Sequence, residues 1–251
     1  MAVYQIKPLA FYEVEAQHAV LFHGGAADRF TTIGCYAWLL LHGDRRILVD
    51  TGIRSLEAVN RTVRGPNRWR PCGNPGMLEQ LSACALQSDA ITDVVLTHLH
   101  YDHCSNADYF VNARFYVARR EWEWAERLLE GGEAPPIGEV MRFLSGLDRF
   151  QLKLVGDTEE LFPDFTVFRT GGHTPGSQAV ETRTQLGRTL LTGDAVFLTD
   201  NIRTGTPIGL TQNLEESVAA VKRFRRFRGA VLPSHDRSIL HYFHVSEDDE
   251  R

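Results

Sequence analysis

The amino-acid sequence predicts an α/β fold in a single domain spanning residues 1–251. Three observations predict it. Short apolar runs, rich in β-branched residues, end repeatedly in polar or glycine-containing turns, which is the signature of strands. Amphipathic stretches of helical period lie between those runs. The chemistry-bearing residues are scattered from position 98 to position 235, so one body must bring them together. With 251 residues, 43% of them hydrophobic, the chain can bury a core without disulfide or metal staples.

CYAWLLLH (35–42) and RILVD (46–50) form a predicted hairpin closed by Gly43-Asp44. DVVLT (93–97), RFYVA (114–118), FTVFR (165–169), QAVETR (178–183), TLLTGD (189–194) and AVLPSH (230–235) read as further strands. GMLEQLSACAL (76–86) is amphipathic, and REWEWAERLLE (120–130) sets Trp124, Leu128 and Leu129 on one side. A third helix starts at Asn213, an N-cap with Glu216 three residues on as in a capping box, and Leu214, Val218, Val221 and Phe224 follow at helical spacing. The basic run KRFRRFR (222–228) then falls near that helix's C-terminus, where positive charge is favoured, which is a structural role. Two segments, 61–76 and 131–140, carry Gly and Pro at the density of loops and read equally as substrate-bordering lids or surface insertions. In the first, Arg64, Arg68, Trp69 and Arg70 would suit an anionic or carbonyl-bearing substrate.

Composition excludes several classes. A formal net charge of −5 is the wrong sign for a polyanion-binding surface, so no nucleic-acid partner is expected. The cysteines, Cys35, Cys72, Cys84 and Cys104, form no C-x-x-C pair, which argues against a zinc ribbon or thioredoxin-type site and for thiols in a reducing compartment. The N-terminus lacks a basic stretch followed by a long apolar one, and the longest apolar run, CYAWLLL (35–41), is too short for a bilayer. A cytoplasmic protein without a membrane partner is the expectation; a homodimer is left open.

The central signal is Thr97-His98-Leu99-His100-Tyr101-Asp102-His103 at the end of a strand. Three imidazoles and a carboxylate so close together are costly to bury without a cation to share. Imidazole nitrogen and carboxylate oxygen suit zinc, with manganese, iron and cobalt also compatible. His173 in GGHTPG, Asp194 in LTGD and His235 in LPSH follow, each at or just after a strand end, where a rigid scaffold gives a site its precision. A lone strand-end His or Gly-Asp is usually an ordinary turn; the joint occurrence points to a metal site.

Taken with Val49-Asp50-Thr51-Gly52, these pieces occur in an order that resembles the metallo-β-lactamase superfamily. The resemblance implies a four-layer αβ/βα sandwich, two mixed β-sheets face to face with helices outside. It also implies two divalent metal ions: one on His98, His100 and His173, the other on Asp102, His103 and His235, bridged by Asp194 and with Asp50 supporting the ligand loop. A metal-bridging hydroxide would attack a small-molecule carbonyl substrate, with Asp102 as the catalytic carboxylate that orients it and carries a proton to the leaving group. Thr97, Ser234 and Asp236 are placed to fix ligand orientation.

Within the superfamily, HLHYDH followed by Ser105-Asn106, GHTPGSQ and Ser234-His235-Asp236 is most similar to the N-acyl-homoserine lactonase group, which implies opening of a cyclic ester. Those enzymes usually carry a tyrosine where this chain has Phe197, which lacks a hydroxyl to donate; Tyr101, Thr199 and Asn201 are the nearby alternatives. GDAVF (193–197) also resembles the hydroxyacylglutathione hydrolases, which cleave a thioester. A mononuclear iron sulfur dioxygenase and a noncatalytic binding protein are the remaining alternatives, both opposed by the complete ligand set.

Overall fold

The structure, a computed structural model, describes residues 1–62, 68–71, 76–132 and 137–243. Cys72 and Arg64 lie outside the described residues. The first sheet holds β1 (Gln5–Gln17), β2 (Phe30–His42), β3 (Arg45–Val49), β4 (Arg70–Pro71), β5 (Asp93–Leu96), β6 (Arg114–Ala118) and β7 (Leu152–Val155), in the order β4-β1-β2-β3-β5-β6-β7. The pairs among β1 to β4 are antiparallel and those among β3, β5, β6 and β7 parallel, so the sheet is mixed. The second sheet holds β8 (Thr158–Phe162), β9 (Phe165–Arg169), β10 (Gln178–Thr184), β11 (Gly187–Leu191) and β12 (Ala230–Leu232), in the order β12-β11-β10-β9-β8, with only β11 and β12 parallel.

Helices α1 (His18–Leu21), α2 (Leu56–Thr62), α3 (Met77–Ala83), α4 (Tyr101–Cys104), α5 (Arg119–Glu130), α6 (Ile137–Ser145), α7 (Thr199–Thr204) and α8 (Leu214–Arg225) complete the chain. Side chains alternate across a strand, and here that alternation builds the layers. Trp38, Leu40, Ile47, Val49, Val95 and Tyr116 face Val167, Val180, Leu191 and Leu232 of the other sheet in one core. Their neighbours Leu39, Leu48, Val94, Leu96 and Phe115 turn the other way, onto Met77, Leu81, Ala125, Met141 and Leu144 of α3, α5 and α6. Phe168, Ala179 and Leu190 likewise turn outward, onto Ala220, Val221 and Phe224 of α8. The product is the expected sandwich of two mixed sheets between helical layers. Among the described residues no helix is long and apolar enough to cross a membrane.

The hairpin forms with Gly43-Asp44 as its two-residue turn, His42 opposite Arg45 and Gly43 at φ 55°. Four expectations change on detail. β2 starts at Phe30, five residues before the predicted run, and β1 was not predicted because Pro8 interrupts it. Proline is tolerated there since β4 pairs β1 only at Tyr12 and Glu13, leaving β1 an open edge at Pro8. Asn213 Oδ1 does accept from Glu216 N at 3.1 Å, but the Glu216 carboxylate turns away from the cap to take Gly172 N at 3.0 Å and pair with Arg169. The buried stripe of α8 is Ser217, Ala220, Val221 and Phe224, with Leu214 exposed. Its basic end packs on the sheet, Arg223 lying 3.4 Å over the Phe168 ring.

Candidate metal centre

Each functional side chain stands just past the end of a strand. His98 and His100 follow β5, and Asp102 and His103 lie on α4, the single turn that comes next. His173 sits in the turn between β9 and β10, Asp194 in the 3-10 turn after β11, and His235 just after β12. Hydrogen bonds to the backbone tie these ends together across the two sheets. Gln178 N donates to Thr97 O at 2.9 Å and Gln178 Nε2 to Leu96 O at 2.8 Å, while Gly34 N donates to His235 O at 3.0 Å.

The structure brings all seven sequence-predicted residues together, in two groups: His98, His100 and His173, and Asp102, His103, Asp194 and His235, with the ligand atoms of each group within 4.8 Å of one another. Asp194 touches both. Its Oδ2 lies 3.3 Å from His173 Nε2 and 3.7 Å from His98 Nε2. Its Oδ1 lies 3.1 Å from both His103 Nε2 and His235 Nε2. Asp102 Oδ2 lies 3.5 Å from His103 Nε2 and 3.7 Å from His235 Nε2.

The outer ring nitrogens are held from behind, which decides the tautomers. His173 Nδ1 donates to Leu210 O at 2.8 Å and His235 Nδ1 to Gly34 O at 2.6 Å. His103 Nδ1 donates to Asp50 Oδ2 at 2.8 Å. In these three rings Nε2 is left turned to the centre, the nitrogen that would ligate once the ring is neutral. His98 Nε2 and His103 Nε2 are buried with no hydrogen-bond partner. Buried polar atoms left so are rare unless something else completes them, and a cation would do so here. The donor set of imidazoles and carboxylates fits a pair of divalent ions.

The electrostatics divide the site. Burial pushes His98 well below the usual histidine range, and burial with His173 takes His100 down to about 4. Burial also lowers His173. These three are neutral imidazoles, the ligating form. For His103 and His235 burial works downward too, but the carboxylates, Asp194 foremost, outweigh it and hold both above the usual range. Burial works to raise Asp102 and Asp194, and the charge of His103 reverses it, taking Asp102 to about 2 and Asp194 well below the usual range.

Asp50 is buried at φ 65°, a left-handed conformation that Asp tolerates better than most residues. Besides His103 it takes Thr97 N at 2.7 Å and Thr97 Oγ1 at 2.9 Å, so one carboxylate holds both ends of the ligand turn. Asp50→Ala should therefore cost about 2–4 kcal/mol of stability in urea unfolding of the metal-free protein; a change below about 0.5 kcal/mol, the scale of an ordinary surface substitution, contradicts that role. Ser234 Oγ donates to Asp194 Oδ1 at 2.7 Å, as its position suggested. Asp236 does not reach the cluster; it takes Thr199 N at 2.7 Å and Ser238 N at 2.8 Å, capping a 3-10 turn.

A cavity of about 330 Å³ opens on the cluster, with Val14, Ala16, Ile33, Trp69, Phe197 and Leu210 among its walls. Trp69 is fixed by paired 2.8 Å bonds between its backbone and the Asn60 side chain, and its ring centroid is 6.5 Å from that of His235. Arg70 pairs instead with Glu15, and Arg68 is exposed. None of the three residues considered as replacements for a hydroxyl at Phe197 lines this cavity. Tyr101 OH donates to Ser55 O, Thr199 N is bound to Asp236, and the Asn201 amide is used up on Leu21 O, Thr206 O and Leu198 N. Sequence reasoning missed Glu121, a fully buried carboxylate beneath the ligand turns. Its only signal was its place one turn before Trp124 on the inward face of α5.

A sandwich of two mixed sheets with this histidine and aspartate cluster at its strand ends defines a class. The chain belongs to the metallo-β-lactamase superfamily, whose family model matches residues 31–235. It is similar to an N-acyl homoserine lactonase of Bacillus sp, 25% identical over 226 residues covering 85% of this chain and 86% of the relative. An N-acyl homoserine lactone hydrolase solved with N-hexanoyl-L-homoserine bound at its catalytic metal centre shares the fold, with a TM-score of 0.80, 22% identity and coverage of 96% and 97%. AidC, a dizinc quorum-quenching lactonase, shares it at a TM-score of 0.67 and 16% identity over 94% and 91%.

Proposed function

We propose that residues 1–251 form one domain of a metal-dependent hydrolase that opens a lactone, with two divalent cations, zinc in the first instance. His98, His100 and His173 would hold one, Asp102, His103 and His235 the other, with Asp194 shared. The observation that carries this reading is Asp194, which offers one oxygen to each group of imidazoles at the floor of an apolar cavity. Bound cations would supply Lewis acidity toward a carbonyl oxygen and bring the pKa of water from 15.7 toward ~7. The relatives named as lactonases support the choice of bond.

The chain's own residues prepare the rest. The outward hydrogen bonds of His103, His173 and His235 would keep Nε2 of each ring turned to bound cations. Asp102, with 21% of its side chain exposed against 4% for Asp194, is the cluster carboxylate more open to the cavity and the one able to hold and move a proton at Oδ2. Trp69, Phe197 and Leu210 exclude water and receive the apolar part of a small carbonyl substrate.

The test is a hydrolysis panel on protein whose metal content is verified: short and long acyl lactones, aromatic lactones, thioesters and a cephalosporin. Lactones should be opened fastest, and chelation verified by elemental analysis should abolish turnover. Full activity in verified metal-free protein sinks the reading, and a preference for thioesters moves it to a thioester hydrolase. One bound iron with oxidation of a sulfur compound would replace it with a dioxygenase. If Trp69 is a cavity wall, Trp69→Ala should raise KM by about tenfold with kcat within about twofold. Asn60→Ala, which frees both Trp69 backbone groups, should move KM the same way by less. An unchanged KM in Trp69→Ala removes Trp69 from the substrate surface.

A further inference from the structure

We propose that Glu121 is a positioning residue that locks the His98–His100 turn to the His173 turn and so sets one of the two cation positions and not the other; this rests on reading the cluster as a pair of cation sites. Glu121 lies in the first turn of α5 and is 0% exposed. Its Oε1 accepts from Leu99 N at 2.9 Å, and Leu99 stands between His98 and His100. Its Oε2 accepts from Thr174 Oγ1 at 2.7 Å and Gly176 N at 3.0 Å, both in the turn that carries His173. One carboxylate thus spans two turns that are more than seventy residues apart in sequence, and all three of its donors are neutral.

The contact is built closely from the other side. A Cβ at position 176 would lie 2.1 Å from Glu121 N, so only glycine lets the His173 turn approach the start of α5. Thr174 is oriented in turn by Ser177, whose Oγ accepts from Thr174 N at 3.0 Å and lies 2.7 Å from Thr174 Oγ1. One turn along the same helix, the Trp124 ring centroid is 6.0 Å from that of His100, adding an apolar buttress behind the same histidine.

The supports of the second group are different residues. Asp50 holds His103, Gly34 O holds His235 and Ser234 holds Asp194, and none of these touches Glu121. His100 Nδ1 and His173 Nε2, by contrast, come within 2.8 Å of each other from the two turns that Glu121 joins. A metal site tolerates displacement of only about 0.5 Å before its ligands misfit, so loosening that join falls on the His98, His100 and His173 position.

Glutamine tests the point because it keeps the shape and loses one acceptor. Its carboxamide has one oxygen for two turns, and whichever way it is turned its NH₂ meets an N–H or O–H donor. Glu121→Gln, Thr174→Val and Thr174→Ser would be titrated with Zn²⁺ and with Co²⁺, whose visible absorption reports each equivalent. The parent protein should bind two equivalents. Glu121→Gln should bind one as tightly as before and the other about 10–100-fold more weakly, with an altered cobalt spectrum for that equivalent alone. Thr174→Val should weaken the same equivalent by less, and Thr174→Ser should restore it. The proposal is overturned if Glu121→Gln binds both equivalents unchanged, if both weaken together, or if the parent binds fewer than two. Should Glu121→Gln fail to fold, the threonine pair decides: equal affinities in Val and Ser variants overturn it. Two bound cations without lactone turnover would sink the hydrolase reading and leave this one standing.

Discussion

Asp194→Asn should leave the protein with no more than one tightly bound cation and cut lactone hydrolysis by about 10³-fold or more, since a lost metal forfeits several kcal/mol of transition-state stabilisation. The carboxylate is used on both sides: Oδ1 stands 3.1 Å from His103 Nε2 and from His235 Nε2, and Oδ2 3.3 Å from His173 Nε2. Asparagine keeps a single acceptor, and Ser234, which donates to Oδ1 at 2.7 Å, decides where it points. The amide oxygen should take the place of Oδ1, leaving NH₂ aimed at His98 and His173. The cation of that group should then be the one lost. Elemental analysis together with kcat on a lactone checks both halves. Two retained equivalents with activity within tenfold of the parent would mean that Asp194 joins nothing.

How much of this was legible in the sequence depended on how locally each feature is encoded. The seven cluster residues could be read because four of them fall within six positions and the other three end or follow recognisable strands. The hairpin could be read because Gly43-Asp44 separates two apolar runs by the right number of residues. The cavity could not, because three of its walls, Val14, Ala16 and Ile33, lie on β1 and the first half of β2, outside every predicted strand. Pro8 hid β1, and its tolerance depends on a neighbour strand only two residues long. Glu121 was illegible for another reason. α5 also carries Glu123, Glu126 and Glu130, and helical period alone gives no cause to bury a carboxylate among them. Three donors arriving from two distant turns supply that cause, and they exist only in the folded chain.

Asp102→Asn should separate the two roles proposed for that residue. It is more open than Asp194 and stands 3.5 and 3.7 Å from the Nε2 atoms of His103 and His235, away from the His98, His100 and His173 group. In the metal-free protein the charge of His103, against burial, keeps it an anion, its pKa drawn down to about 2. As a ligand, its loss should weaken one cation and spare the other. As a proton carrier, its loss should depend on what leaves. A lactone expels an alkoxide that needs a proton, and general acid assistance of that kind is worth about 10²–10⁴-fold. A nitrophenyl ester expels a phenolate stable without one. With metal resupplied to equal occupancy, kcat for the lactone should fall by about 10²-fold or more and that for the nitrophenyl ester by about tenfold or less. Equal losses on both substrates would confine Asp102 to holding the cation and assign the proton to another group.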